Sequence, residues 1–268
     1  NAVQWMSESR TAPSAYLRKL TAVHLLREAA NHMPLAFIPY IMDFFHNVWT
    51  PLCDGQSELR ESSLKVFKTC IQVLNSRPRN VRQRMYTTLF AQLRQHLSSK
   101  SVDLVVGGLL AFEHIVLGSE GTQESRYDEA MSLVWALTPH SVQYVRQLVM
   151  HALTVLAKYN TPIFVEANLK QVVNFALIAV KKENERPHAF KMLSEIVVEV
   201  GAKAFEPHLD QTIQAIKAAL IQTKMQQKPP VWEVLGCLST ICKVTGGNEN
   251  VEAHVKSCIE HVFGWGLS

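Results

Sequence analysis

The strongest constraint in this chain is a spacing. Ala36-Phe37-Ile38-Pro39 returns as Ala204-Phe205-Glu206-Pro207, and Phe37 and Phe205 lie 168 positions apart, four times 42. Arginines follow a similar ruler: Arg18 and Arg60 are 42 apart, Arg60 and Arg146 are 86 apart, and Arg146 and Arg186 are 40 apart. Pro187 and Pro229 are again 42 apart. A unit of about forty residues hides its apolar face by stacking on its neighbours, so a period of this length predicts an array of like modules.

The stretch 34–64 shows what fills one period. Pro34 opens a helix where a missing amide proton costs nothing, and Phe37, Ile41, Phe44, Val48 and Leu52 recur every three or four residues through 34–52, which buries one helical face. Asp54-Gly55-Gln56 breaks it. Ser57, followed at the third position by Arg60 rather than Glu, is a plain N-cap for a second helix. Two helices per period predict an all-α fold, a right-handed α-solenoid of about six HEAT-type helix pairs. The expected repeats are 13–54, 57–99, 100–137, 139–182, 183–225 and 229–264, in a single array over 1–268.

Helices are expected over 13–30, 34–52, 57–75, 81–97, 102–117, 123–137, 140–158, 161–181, 183–200, 202–224, 229–244 and 249–263. Thr138-Pro139 and Thr161-Pro162 both read as an N-cap followed by proline, and Gly201 as a C-terminal cap. Gly107 and Gly108 cost a helix about 1 kcal/mol each relative to alanine, so they predict close approach of a neighbouring helix. A hydrophobic content of 47% supplies a continuous core, and 8% aromatics with 11 glycines fit helices better than strands. The +4 charge is too mild to indicate nucleic-acid binding. Five cysteines, an odd number, indicate reduced thiols in the cytosol or nucleus. The most apolar segment, 102–118, carries Asp103, Glu113 and His114 and is too short to span a bilayer. The chain begins at Asn1 and ends at Ser268 in the manner of a piece of a longer protein.

Catalytic grammar is missing from the sequence. It has no Gly-rich phosphate loop with lysine, no nucleophile elbow and no His-Glu-x-x-His, so no catalytic residue, cofactor or small-molecule substrate is expected. His151 and His188 sit beside apolar neighbours and read as structural or surface groups. His254, Cys258 and His261 share a helix face near Cys237 and Cys242, which are zinc-ligand types. Cys237 and Cys242 project about 140° apart on their helix, so a metal-free reading is preferred. Phe37, Tyr40, Phe44, Phe45 and Trp49 read as core, with Tyr40 or Trp49 at its rim. The densest charge cluster is Arg77, Arg79, Arg82 and Arg84, a turn and helix start that can present guanidinium groups to an acidic or phosphorylated partner. A solvated edge is the simpler reading of the same four residues.

Particular blocks go beyond generic helical repeats. Ile38-Pro39-Tyr40-Ile41, then Val48 through Asp54 (Val-Trp-Thr-Pro-Leu-Cys-Asp), then Leu59-Arg60-Glu61, resemble early N-terminal repeats of the target-of-rapamycin (TOR) kinases. A second block, Lys181-Lys182-Glu183-Asn184-Glu185-Arg186 through Ala189-Phe190, followed by Phe205, Pro207-His208-Leu209, Ile213, Ile216 and Ala218-Ala219-Leu220, is similar to the same N-terminal array. Helix packing alone does not demand the Lys-Lys-Glu-x-Glu-Arg run. The resemblance spans most of the chain, strongest over 145–220 and at Gly266-Leu267-Ser268. It implies a parent that is a giant serine/threonine protein kinase of the phosphatidylinositol-kinase-related class, with its catalytic domain beyond Ser268.

By the same resemblance this segment is a non-catalytic scaffold that docks raptor-like or rictor-like regulatory subunits. It would support a dimeric complex in growth and nutrient signalling, cytoplasmic and recruited to endomembranes through partners. The alternative is a free-standing HEAT adaptor, of transport-receptor or phosphatase-scaffold type, that grips an acidic or phosphorylated ligand through Arg77 to Arg84.

Overall fold

A computed structural model describes residues 2–6, 13–120, 126–225, 232–246 and 256. Every regular element among them is helical. The chain divides into two compact units, Asn1–Ala152 and Leu153–Ser268.

In the first unit, α1 (Ala2–Met6) lies against α2 (Pro13–His32). The helix expected over 34–52 is present but broken into α3 (Pro34–Phe37), a 3-10 turn (Ile38–Tyr40), α4 (Ile41–Asn47) and α5 (Trp49–Leu52). The breaks have a covalent cause. Pro39 has no N–H for the carbonyl of Leu35, and Pro51 has none for that of Asn47. The apolar spacing survives them, since Phe37, Ile41, Phe44, Val48 and Leu52 are all buried. Of the aromatic stripe, Phe37, Phe44, Phe45 and Trp49 are core while Tyr40 is 55% exposed, so Tyr40 alone lies at the rim.

The chain continues through α6 (Ser57–Asn75), α7 (Arg79–Leu97), α8 (Val102–Gly118) and α9 (Tyr127–Ala136). Helix α2 packs on α6 and α6 on α8, so the first helix of each pair stacks on the first helix of the next. Side chains one period apart therefore touch. The Tyr16 hydroxyl donates to Glu58 at 2.7 Å across 42 residues, and Trp49 Nε1 donates to Gln92 Oε1 at 3.0 Å across 43. The close approach expected at the paired glycines is present. A Cβ on Gly107 would collide with Cys53 Sγ and come within 3.2 Å of the Leu52 carbonyl oxygen, and one on Gly108 would lie 3.0 Å from Leu97.

Two expected caps, before α6 and before the helix that follows α9, are corrected. The N-cap of α6 is Gln56, without a side-chain cap, because Asp54 already accepts the Gln56 N–H at 3.1 Å and fixes the turn one residue earlier than Ser57 would. Helix α10 (Gln143–Tyr159) starts at Gln143 rather than 140. The Thr138 hydroxyl turns back to the Trp135 carbonyl at 2.8 Å, closing α9, while His140 Nδ1 accepts the Val142 N–H at 3.1 Å.

The second unit begins within α10 and continues through α11 (Thr161–Ile163), a π turn (Phe164–Asn168) and α12 (Leu169–Ala179). Asn160, not Thr161, caps α11: its Oδ1 accepts the Ile163 N–H at 3.3 Å, and the Thr161 hydroxyl donates to Ala157 at 2.9 Å. Helix α13 (Arg186–Phe205) bends at Gly201, whose φ of +77° is the left-handed conformation expected of a terminator. One further turn and a 3-10 segment (Glu206–His208) precede α14 (Leu209–Met225). Pro207 thus breaks the helix expected over 202–224 as Pro39 breaks the one over 34–52. Both copies of Ala-Phe-x-Pro bury their phenylalanine and open a 3-10 turn. Helix α12 packs on α13, and α15 (Trp232–Thr245) packs on α13 and α14. Apart from Lys256, the helix expected over 249–263 lies outside the described residues.

Candidate functional site

Two groups of arginines differ in what they hold, and the difference defines the site. The first group is Arg60, Arg146 and Arg186 of the sequence ruler. Arg60 donates to the carbonyls of Asp54 at 2.8 Å and Gly55 at 3.0 Å. Arg146 makes the same pair of bonds to His140 at 2.6 Å and Ser141 at 2.8 Å. Arg186 Nε donates to Val180 at 2.9 Å. In each case a guanidinium near the head of a helix folds back six residues and satisfies carbonyls of the preceding turn. Lys19 reaches the Asp54 carboxylate at 3.5 Å beside the first of these clamps. Glu185 and Arg186 are buried, which gives part of the Lys-Lys-Glu-x-Glu-Arg run a packing role that the sequence did not show.

The second group is the run from Arg77 to Arg84, at the junction of α6 and α7. Ser76 ends α6 and donates to the Val73 carbonyl at 2.7 Å, while Arg77 donates to the Ser76 hydroxyl at 3.1 Å. Pro78, extended at ψ 149°, is the N-cap of α7 and carries no side-chain cap. Arg79 follows at once, and the first turn holds no acidic residue. Guanidinium groups at the positive end of a helix dipole gain nothing from the helix itself, so a nearby anion would be welcome there. Asn80 Oδ1 accepts the N–H of Val81 at 2.9 Å.

The four side chains do not converge. At about 100° per residue, Arg84 projects about 140° from Arg79 and about 160° from Arg82. Arg82 is half-buried beside Tyr86, and its buried Nε meets no hydrogen-bond partner among the described residues. Burial pushes the Tyr86 phenol up, against the pull of its hydrogen bond to Asn75 and of the Arg82 charge. Arg84 faces the other way, into a groove of about 360 Å³ between α4 and α7 lined by Met42, Asn80, Val81, Arg84, Met85 and Thr88.

The remaining sequence candidates take quieter places. His151 bonds Glu113 at 3.0 Å, and His188 is exposed. Cys237 is buried, Cys242 is half-buried, and His254, Cys258 and His261 lie outside the described residues. Among the described residues no three His, Cys, Asp or Glu side chains gather as a metal site. Burial pushes the Cys53 thiol, helped by Asp103, up to about 12, and holds Cys70 well above the ordinary thiol range. No single described helix is long and apolar enough to cross a membrane.

Comparison with known proteins places this architecture. The serine/threonine-protein kinase tor1 of Schizosaccharomyces pombe is 24% identical over 246 residues, 91% of this chain and 10% of that protein. The serine/threonine-protein kinases TOR of Arabidopsis thaliana and of Oryza sativa subsp. japonica are each 24% identical over all of this chain and again 10% of their own length. The chain is similar to the TOR kinases along its length. It spans about a tenth of the length of these relatives, in their N-terminal part. No family model matches the chain.

Among solved structures, the karyopherin Kap121p bound to the extreme C-terminus of the phosphatase Cdc14p superposes with a TM-score of 0.72 at 14% identity, over 91% of this chain and 25% of that one. Kap121p bound to Nup53p gives a TM-score of 0.68 at 12% identity, over 97% and 30% of the two chains. The designed armadillo repeat protein YIII(Dq)4CqI gives 0.52 at 12% identity, over 90% and 98%. These likenesses show the fold, an all-α helical-repeat solenoid of the HEAT and armadillo kind.

Proposed function

We propose that this chain is a non-catalytic docking scaffold of a TOR-type kinase, which holds raptor-like or rictor-like regulatory subunits and helps to assemble the kinase complex in growth and nutrient signalling. The observation that carries the reading is the alignment with TOR kinases along the whole chain, on a fold made of stacked helix pairs. Such a fold offers ridges and turns over an extended surface, and binding follows from shape and summed area. The parent's serine/threonine kinase activity belongs to sequence outside this segment. Dimerisation of the parent complex, a cytoplasmic site of action and recruitment to endomembranes through partners belong to the same proposal, as does the division into six repeats.

Arg77, Arg79, Arg82 and Arg84 are the proposed partner-facing residues. They are supported by contrast: Arg60, Arg146 and Arg186 are consumed by turn carbonyls, whereas the helix head from Arg79 carries positive charge that no first-turn acid offsets. An acidic partner surface is the complement. The test immobilises the 268-residue chain and measures retention of purified raptor-like and rictor-like subunits, with Arg79→Glu, Arg84→Glu and the double variant beside it. Retention by the native chain and a loss of at least tenfold in the double variant are expected. Retention by neither chain overturns the docking proposal, and equal retention by both removes the arginines from it.

A further inference from the structure

The groove between α4 and α7 is a more specific feature than the arginine run around it. Its floor is Met85, which is buried, and its walls include Met42 and Val81, which are 38% and 39% exposed. Methionine is flexible and polarisable and adapts to incoming apolar groups. Above this apolar floor stand one guanidinium, that of Arg84, the Asn80 amide and the Thr88 hydroxyl. Among the described residues the Thr88 hydroxyl makes one long bond of 3.4 Å, to the Arg84 carbonyl. The Asn80 oxygen is occupied by the Val81 N–H, which leaves the amide's own N–H groups to donate. Among the described residues no carboxylate lines the groove.

We infer that this groove is a subsite for an acidic peptide segment of a partner protein, taking one apolar side chain against Met42 and Met85 and the neighbouring carboxylate against Arg84. Charge complementarity identifies the occupant: the lining supplies donors and one fixed positive charge over an apolar floor. A single planar guanidinium matches one carboxylate in a bidentate pair. A phosphate dianion calls for several convergent guanidinium groups, and Arg79 and Arg82 project away from Arg84 by about 140° and 160°. A volume of about 360 Å³ is at the small end of ligand pockets and suits a pair of side chains rather than a large cofactor.

The inference rests on the partner-facing reading of the arginine run and narrows it to Arg84. The experiment uses the 268-residue chain with labelled methionine methyl groups, titrated with a capped octapeptide that has Leu-Glu at its centre and Gly and Ser elsewhere. The expected result is a saturable shift of the Met42 and Met85 methyl resonances. Affinity should drop at least tenfold when Leu-Gln replaces Leu-Glu and at least tenfold in Arg84→Ala, while Arg79→Glu stays within twofold of the native chain. Methyl resonances that stay still at millimolar peptide overturn the inference. Arg79→Glu weakening binding as much as Arg84→Ala overturns it too, as does a Leu-phosphoserine peptide that binds tenfold more tightly than Leu-Glu. The two levels separate cleanly. If subunit retention falls in Arg79→Glu but not in Arg84→Ala, the subsite is wrong and the docking surface stands; if every variant retains the subunits, the surface itself is wrong.

Discussion

Replacing Arg60 by alanine tests the claim that the periodic arginines are turn clamps. Two guanidinium bonds of 2.8 and 3.0 Å, to the carbonyls of Asp54 and Gly55, disappear. A hydrogen bond to a charged group contributes about 1.5–3 kcal/mol when shielded and less when water replaces it. The bond to Asp54 is partly buried and the one to Gly55 is exposed, so a net loss of about 1–2 kcal/mol follows. The same turn carries Asp54, which Lys19 reaches at 3.5 Å, so its loosening also slackens the contact with α2. Urea denaturation followed by helical circular dichroism measures the change. Arg84→Ala is the internal control, because that side chain clamps no turn and its removal should stay within about 0.5 kcal/mol. Arg60→Lys should recover only part of the loss: both bonds come from one guanidinium nitrogen, Nη1, so an ammonium can donate in its place, but its stem is one bond shorter. An Arg60→Ala chain no less stable than Arg84→Ala would refute the clamp.

Other consequences are as concrete. Leu153→Ala and Leu193→Ala remove fully buried side chains, and each should cost about 2–5 kcal/mol in the same denaturation assay; a change below about 0.5 at both would show the helix faces to be misassigned. Gly107→Ala should destabilise by about 1–3 kcal/mol despite alanine's better helix propensity, because its Cβ meets Cys53 and the Leu52 carbonyl. Burial holds the His96 and His114 imidazoles below their ordinary value. Their neutral forms therefore support the fold above the unfolded-state value near 6.5, and that contribution is lost as pH falls toward the folded-state values. Urea midpoints should drop between pH 7.5 and 5.5, less so in His96→Gln with His114→Asn, and an unchanged pH dependence in that double variant would contradict the assignment. Burial pushes the Cys237 thiol up to about 12, so a maleimide at pH 8 should leave Cys70 and Cys237 unmodified in the folded chain and label them in urea.

The fold was legible where chemistry is local and periodic. The helix expected over 57–75 is α6, Ser57–Asn75, at both ends, and the recurring Ala-Phe-x-Pro marked two places where the chain does the same thing. What the pattern hid was competition among polar groups. Thr138 and Thr161 stand before prolines as caps do, yet each hydroxyl finds a carbonyl of the preceding helix first. Proline's missing donor breaks helices whose apolar faces continue through the break, so periodicity alone joined α3 to α5. The arginine ruler was visible, but its purpose was not, because the partner is a backbone carbonyl and carbonyls leave no mark in a sequence. For the candidate site, composition showed four arginines in eight residues, and only the helix geometry shows that Arg84 parts company with the others and meets Met42 from a helix more than thirty residues away.

The docking proposal is decided by excising this segment from a full-length TOR-type kinase and measuring how much purified raptor-like or rictor-like subunit the remainder retains, with phosphorylation of a short peptide as the readout of an intact catalytic domain. A scaffold role predicts that subunit retention falls at least tenfold while peptide phosphorylation stays within twofold. Full retention of the subunits by the excised kinase would contradict it.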